Sequence, residues 1–484
     1  MANFLAKIFK NNNFLSLANN GAVAFFGFFS FIVLVRSLPT YEFGEWVLFI
    51  TALNFLDMLR FGITRTAIVR FLSGANKTES SQLIGSNYVI NIFTTLVLIA
   101  IVSLVNFFFS SSVQASGFTL FFTWFPLVAL VNLPFNNSLS VLQAKMRFDL
   151  ILIIRTINVG LFMIFLIINY YFFQFGVIVI MWAYISTNVI SSLIASIFNW
   201  DGIRYIFKAT AKTNKLILNF GKYTSGTLIG SNLLKSADTF ILGLSPFIGV
   251  TGVALYSIPL KLTEIIEIPV RSYAMTAFPS MSKASIEGNK ELVKQIYYKN
   301  AGGLTMLLIP IMAFSFVFAE DFVTILGGPE YKETASVFRL FCLYGVIMPL
   351  DRFTGVALDS INMPKQNFIK VIYMTVSNII GDAIVVFGFY YIALFVSIVT
   401  LISIGHTNIE FVANISNMYS KIAVLNMVAT ITILFTFIGI FVGIYYLRKE
   451  LDIKLRYFLW GGLRFFQEFY YKINKSNIIR KDYF

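Results

Sequence analysis

A chain of 484 residues that is 57% hydrophobic and only 12% charged, with a mean hydropathy of +0.78, is excluded from the soluble globular class. Its formal charge of +14 does not require a nucleic acid partner, because lysine and arginine gathered on one side of a membrane account for it. One cysteine, Cys342, and one histidine, His406, leave no disulfide framework and no zinc signature, and without a Walker A, GxGxxG or GxSxG motif no cofactor is expected.

A membrane span takes about 20 consecutive apolar residues, and the chain contains roughly a dozen such stretches. Lys7 and Lys10 precede the first, from about Phe14 to Val35, which carries Asn19 and Asn20 and lacks a cleavage site; it reads as a retained helix. The second ends in Arg60, Arg65, Arg70 and Lys77, and Lys145, Arg147 and Arg155 surround the turn between the fourth and fifth. Arg204, Lys208, Lys212, Lys215 and Lys222 follow the sixth, Lys283, Lys290, Lys294 and Lys299 the eighth, and Arg352, Lys365 and Lys370 the tenth. The tail after Tyr446 is again basic. The alternate gaps, such as Ser110 to Gly117, Tyr171 to Gly176 and Leu244 to Val250, are short and nearly uncharged, and the gap around Glu320, Asp321, Glu330 and Glu333 is mainly acidic. By the positive-inside rule the basic gaps and both termini are cytoplasmic, and twelve crossings satisfy the count. Val371 to Ile404 is longer than one span requires; it is kept as one, because splitting it would carry the basic tail outside.

The expected organisation is a six-helix bundle over 1–200, a cytoplasmic amphipathic connector at 201–217, a second six-helix bundle over 218–447 and a basic cytoplasmic tail at 448–484. The connector is basic, with Ile203, Ile206, Phe207 and Ala211 on one side, as suits a helix on the membrane surface. The halves echo each other: RSLPTYEFGEW at 36–46 and the segment from Leu244 to Leu255 are both short outer turns that enter a charged helix.

Arg36 to Trp46 is followed by LDMLRFGITRTAIVR at 56–70, LQAKMRF at 142–148, FGKYTSG at 220–226, SADTFILG at 236–243, ALYSIPLKLTEIIEIP at 254–269 and LDSINMPKQNF at 358–368. In order and spacing these resemble the polysaccharide and oligosaccharide flippases, the Wzx-like branch of the multidrug/oligosaccharidyl-lipid/polysaccharide exporter superfamily. The resemblance implies an all-α polytopic membrane protein of about 12 transmembrane helices in two six-helix bundles around a V-shaped central cavity. It implies a transporter, not an enzyme, in the bacterial inner membrane and a monomer by default. The implied cargo is an undecaprenyl-diphosphate-linked repeat unit of O-antigen, capsule or exopolysaccharide, flipped from the cytoplasmic to the periplasmic leaflet by alternating access. A glycan polymerase of the same pathway is the implied protein partner, alongside membrane lipids.

Diphosphate and sugar hydroxyls cross hydrocarbon only when cationic and polar side chains replace their water. On the eighth helix, Lys261, Glu264, Glu267 and Arg271 recur at intervals of three and four and share a face. Arg271 is expected to be free to meet phosphate, whereas Lys261 either does the same or pairs with Glu264. Pro259 and Pro269 are hinges or packed kinks of that helix. Asn232, Lys235 and Asp238 share a face of the seventh helix, and Asp57 and Arg60 stand a turn apart on the second. Arg60, Arg65 and Lys235 are substrate candidates, although Arg65 and Arg70 also suit snorkelling to headgroups. Asp57, Asp238, Glu264 and Glu267 are candidates for an ion-linked step, with a salt bridge as the alternative for Asp238. Asn19, Asn20, Asn136, Asn137 and the pair Asn378 and Asp382 either contact sugar or hydrogen-bond between helices. Trp46, Trp200 and Trp460 suit interfacial belts. A lipid II-type flippase and a cation-coupled multidrug antiporter of the same superfamily are the rival transporters. A glycan polymerase or ligase is disfavoured, because the longest outer gap, about Gly405 to Ser420, has few ionisable groups.

Overall fold

A computed structural model describes residues 12–72, 75–388 and 420–454, with a few positions of the tail beyond. Among the described residues the chain is helical and has no strand. The helices are α1 (Asn12–Ser37), α2 (Thr40–Leu72), α3 (Lys77–Phe108), the short α4 (Ser110–Ala115), α5 (Thr119–Ala144), α6 (Phe148–Ile168) and α7 (Val177–Ile197). After a tight turn at Ile203–Lys208 follow α8 (Ala211–Leu244), α9 (Gly249–Ile286), α10 (Lys290–Val317), the short α11 (Ala319–Gly327), α12 (Ala335–Ser360), α13 (Pro364–Ala383) and α14 (Lys421–Leu451). The outer part of the long eleventh apolar stretch, 389–404, and nearly all of the gap after it lie outside the described residues.

Ten of these helices are long and apolar enough to cross a membrane. The other two long ones, α8 and α9, have 34 and 38 residues. They have the length to cross, but Lys212, Lys215 and Lys235 on α8 and the Lys261 to Arg271 ladder on α9 lower their hydropathy. With them the long helices number twelve among the described residues, as the alternation of basic gaps requires. Much of the phenylalanine faces outward: Phe93, Phe107, Phe108 and Phe172 are exposed, as side chains bathed in lipid would be.

By packing, the chain divides into two compact units, Met1–Ala254 and Leu255–Phe484. The division falls beyond the composition break at 201–217, because α8 lies along α2 for its whole length. Glycines permit this approach at both ends. A Cβ on Gly221 would stand 2.2 Å from the Ile63 carbonyl oxygen, and one on Gly243 would stand 2.6 Å from the Leu48 side chain. The start of α9 belongs to the same unit, since Gly44 lets the Val250 backbone come close. The two echoing turns therefore touch.

In the first unit α5 packs on α2, α3 and α7, and α1 packs on α6. Trp46 belongs to this interior, not to an interfacial belt: it is 5% exposed and stacks on Phe162 at 5.7 Å. Its place near the outer end of α2 is interfacial by sequence, but α6 and α7 cover it. In the second unit α12 is central, packing on α10 and α14, and α13 packs on α14. Tyr297, Phe353 and Leu447 fill that core. The tail contributes to it as well, because Gly302 of α10 brings the Phe458 carbonyl oxygen within 2.2 Å of where a Cβ would be.

Candidate functional site

α2 carries the polar residues of the first unit. Asp57 and Arg60 are paired, with Oδ1 3.6 Å from Nε, and Arg60 is wholly buried. Its Nη1 donates to the Ala129 carbonyl at 3.1 Å, and its guanidinium lies 4.6 Å from the centre of the Phe61 ring. The backbone of α5 is loosened one to two residues beyond that carbonyl. Pro134 has no N–H to close onto the Leu130 carbonyl. Beside it, Ser192 of α7 enters the backbone ladder, accepting from the Phe135 N–H at 3.3 Å and donating to the Val131 carbonyl at 2.5 Å. Arg60 binds the carbonyl just before this loosened stretch.

Arg65 lies five residues further along α2, on a different side of the helix. There a cavity of about 510 Å³ is lined by Asn54, Asp57, Phe61, Arg65 and Thr66 of α2, Asn136 and Gln143 of α5, and Asn232 of α8. Arg65 donates through Nε and Nη2 to the Gln143 Oε1 at 3.3 and 3.2 Å, so the fork is held across the cavity. Asn136 of α5 and Asp57 thus line the same cavity. Arg155 of α6 is close enough to Arg65 for their charges to act on each other. Among the described residues neither of these two arginines has a carboxylate partner. Like charges this close in a span raise each other's cost of burial, a cost that an anion would offset.

The structure thus brings together Arg65, expected to contact substrate, Asn136, a possible sugar contact, Asp57, expected in an ion-linked step, and Asn232, and it turns Arg60 inward. Asn137, next to Asn136, faces the other way and accepts from the side chains of Asn87 and Asn91 at 3.0 and 2.6 Å, an interhelical bond. Asn19 is buried, with its amide 3.4 Å from Asn20 Oδ1. Lys235 is exposed on α8 one turn beyond Asn232, and Asp238 is buried a turn further. Arg155 was missed by the sequence reading, which placed it at a turn. Its position seven residues past the start of α6 puts it about 10 Å along the helix, which is the signal that could have found it.

In the second unit Lys261 Nζ lies 2.7 Å from Glu264 Oε2, and Arg271 donates to Glu267. The expected freedom of Arg271 is therefore corrected. Glu267, four residues earlier, sits where a long side chain on a helix reaches most easily. On α13, Lys370, Met374, Asn378 and Asp382 recur every four residues and are all buried, inside the packing of this unit. Lys370, read from sequence as part of a cytoplasmic gap, is 3% exposed, with Nζ 2.6 Å from Asp351 Oδ1.

With the helices and cavity in view, the comparisons with known proteins agree. The chain matches the family of polysaccharide biosynthesis proteins over residues 33–336, more than half its length. It belongs to that family. This polysaccharide biosynthesis protein is 22% identical over 182 residues to a protein of Haloferax volcanii described as a probable low-salt glycan biosynthesis flippase, Agl15. The match spans 38% of either chain, well under half of that relative. In fold, the polysaccharide biosynthesis protein is similar to an inward-facing multidrug resistance MATE family transporter of the MOP superfamily. The TM-score is 0.68 at 16% identity, over 89% of this chain and 94% of that one. It is likewise similar to the lipid II flippase MurJ in an inward closed conformation, with a TM-score of 0.66 at 13% identity over 96% and 99% of the two chains. A MOP superfamily transporter from Pyrococcus furiosus gives 0.53 at 16% identity over 92% and 96%. The fold is that of the MOP superfamily transporters, as the sequence motifs implied.

Proposed function

We propose that this chain is a flippase that carries an undecaprenyl-diphosphate-linked oligosaccharide from the cytoplasmic to the periplasmic leaflet of a bacterial inner membrane. It acts as a transporter and not as an enzyme, with both termini in the cytoplasm. The observation that supports the reading is Arg65, whose guanidinium lines a cavity of about 510 Å³ and, among the described residues, has no carboxylate partner, with the charge of Arg155 acting on it from α6. Arg presents a planar fork that matches phosphate oxygens two at a time, and hydrogen bonds to charged groups contribute about 1.5 to 3 kcal/mol each. Gln143, Asn136 and Asn232 offer amides for sugar hydroxyls, and the polyprenyl tail stays in lipid. A repeat unit delivered outside is then material for a glycan polymerase.

In this reading Arg60 holds Asp57 in place, and Asp57 is the ion-linked carboxylate of the first unit. Lys235 extends the polar face of α8 beyond Asn232. Lys261 and Arg271 exchange Glu264 and Glu267 for phosphate as the cargo moves, which frees those carboxylates for a coupling ion. Asp238 takes the corresponding place on α8, and Asn19 and Asn378 support the helices around the path. A cationic drug would meet like charge at Arg65 and Arg155, which counts against the multidrug antiporter. A lipid II-type cargo shares the diphosphate and is the alternative within the same chemistry.

The test is translocation of lipid-linked glycan in spheroplasts from cells that depend on this chain. Arg65→Gln and Arg155→Gln together are expected to lower the glycan that reaches the outer leaflet by about tenfold or more, with membrane insertion unchanged. Arg65→Lys should fall between, because an ammonium lacks the fork. Translocation at the parental rate by the double variant would overturn the proposal.

A further inference from the structure

A second cavity in the first unit, of about 600 Å³, lies where α3 begins, α5 ends and the turn Ile203–Lys208 crosses between them. Lys77, Lys145 and Lys208 line it together with Tyr205 and the hydroxyls of Ser80 and Ser81. Among the described residues none of these three lysines makes an ion pair. Lys208 Nζ lies 5.5 Å from the centre of the Tyr205 ring. Glu79, the nearest acid along the chain, is engaged elsewhere: its Oε2 accepts the Asn76 N–H at 3.2 Å and completes the cap of α3.

The turn that closes this cavity is a built element. Asp201 accepts from the Ser196 hydroxyl at 2.8 Å and from the Ile203 N–H at 3.1 Å. Gly202 takes a φ of +82°, and Gly85 of α3 lets the Tyr205 carbonyl oxygen approach to 2.0 Å from where a Cβ would stand. Held in this way, the turn that carries Lys208 also presents Phe207, 98% exposed, and Ile203, 41% exposed. An aromatic ring fully out of the protein is costly in water and favourable at the acyl boundary of a bilayer. Because α3 and α5 are membrane spans, their ends here lie at headgroup depth.

We propose that Lys77, Lys145 and Lys208 form a binding site for the phosphate of an anionic phospholipid, whose acyl chains lie against Phe207 and Ile203. Basic pockets at span ends suit this chemistry, because each lysine near an anionic headgroup adds attraction and the apolar neighbours select a lipid over free phosphate. The site is separate from the Arg65 cavity and does not depend on the flippase reading.

The experiment uses the full chain in nanodiscs of phosphatidylcholine containing phosphatidylglycerol, with the lipids that survive extraction counted by native mass spectrometry. The parent is expected to retain phosphatidylglycerol in preference to phosphatidylcholine. Lys77→Gln, Lys145→Gln and Lys208→Gln together should lower that preference by about tenfold or more, and Phe207→Ser should lower it by about threefold. Millimolar inorganic phosphate should leave it unchanged. An unaltered preference in the triple variant would overturn the site, and displacement by inorganic phosphate would overturn the lipid as its occupant. If the triple variant does not insert, Lys208→Gln alone, on the exposed turn, decides the matter: about fivefold loss supports the site, and no loss sinks it.

Discussion

The carboxylate of Glu42 at the start of α2 accepts the backbone N–H of Val177 at 2.7 Å, capping α7 across 135 residues of chain. A negative charge at a helix N-terminus meets unpaired N–H groups and the positive end of the dipole. Phe43 beside it is wholly buried, and Gly44 receives Val250. The Glu-Phe-Gly turn is thus a latch at one end of the first unit. Glu42→Gln is expected to lower stability by about 1 kcal/mol, and Glu42→Ala by more, read as the thermal midpoint of the detergent-solubilised protein. An unchanged midpoint in Glu42→Ala would remove the latch from the account.

Close approach of α8 to α2 rests on Gly221. Gly221→Ala puts a methyl 2.2 Å from the Ile63 carbonyl oxygen, a contact with backbone that no side-chain rotation relieves. Overpacking of this kind costs about 1 to 3 kcal/mol. Gly27→Ala on α1, with nothing within 4 Å, is the control and should be neutral or slightly stabilising. Equal midpoints for the two variants would contradict the packing of α8 described above.

Arg60 and Asp57 form a pair whose cationic partner has no contact with solvent. Arg60→Met leaves the Asp57 carboxylate without its cation and is expected to destabilise the protein by about 3 kcal/mol. Adding Asp57→Asn should recover part of that loss, the signature of coupling between the two. Strictly additive losses in a double-mutant cycle would show that they act independently.

Glu320 on α11 is held by Arg339 Nη2 at 3.2 Å and by Lys332 Nζ at 3.3 Å, and both keep its carboxyl below the ordinary range. A depressed carboxylate pKa adds stability that is present above the usual value, about 4.3, and fades as the pH falls through the depressed one. Glu320→Gln should therefore flatten the acid side of the stability curve below about pH 5. Added salt should have a similar, weaker effect on the parent, because the pair is open to solvent. Identical acid limbs for parent and variant would contradict the assignment.

Twelve long helices and the alternation of basic and uncharged gaps were legible from residue order alone. Transfer of apolar side chains out of water sums over each window of about 20 residues, so every span declares itself without reference to its neighbours. Even α8 and α9, too polar for that sum, were placed by the lysines and arginines at their ends. The paired spacing of Asp57 with Arg60 and of Lys261 with Glu264 was equally local, since residues three or four apart share a helix face.

What that face meets is not local. Arg60 and Arg65 sit on one helix, and by sequence Arg60 is the favoured phosphate ligand, with snorkelling the alternative for Arg65; yet Arg60 is drawn inward to the Ala129 carbonyl of α5, and Arg65 faces Gln143 and a cavity. Arg155 joins Arg65 from a helix that begins at Phe148, and Lys370 leaves the solvent side of α13 for Asp351. Trp46 becomes core because α6 and α7 close over it. Spacing along a helix states which side chains travel together, whereas burial and pairing depend on other helices, from 19 residues away for Lys370 and Asp351 to 69 for Arg60 and Ala129, and only the packed structure brings those together.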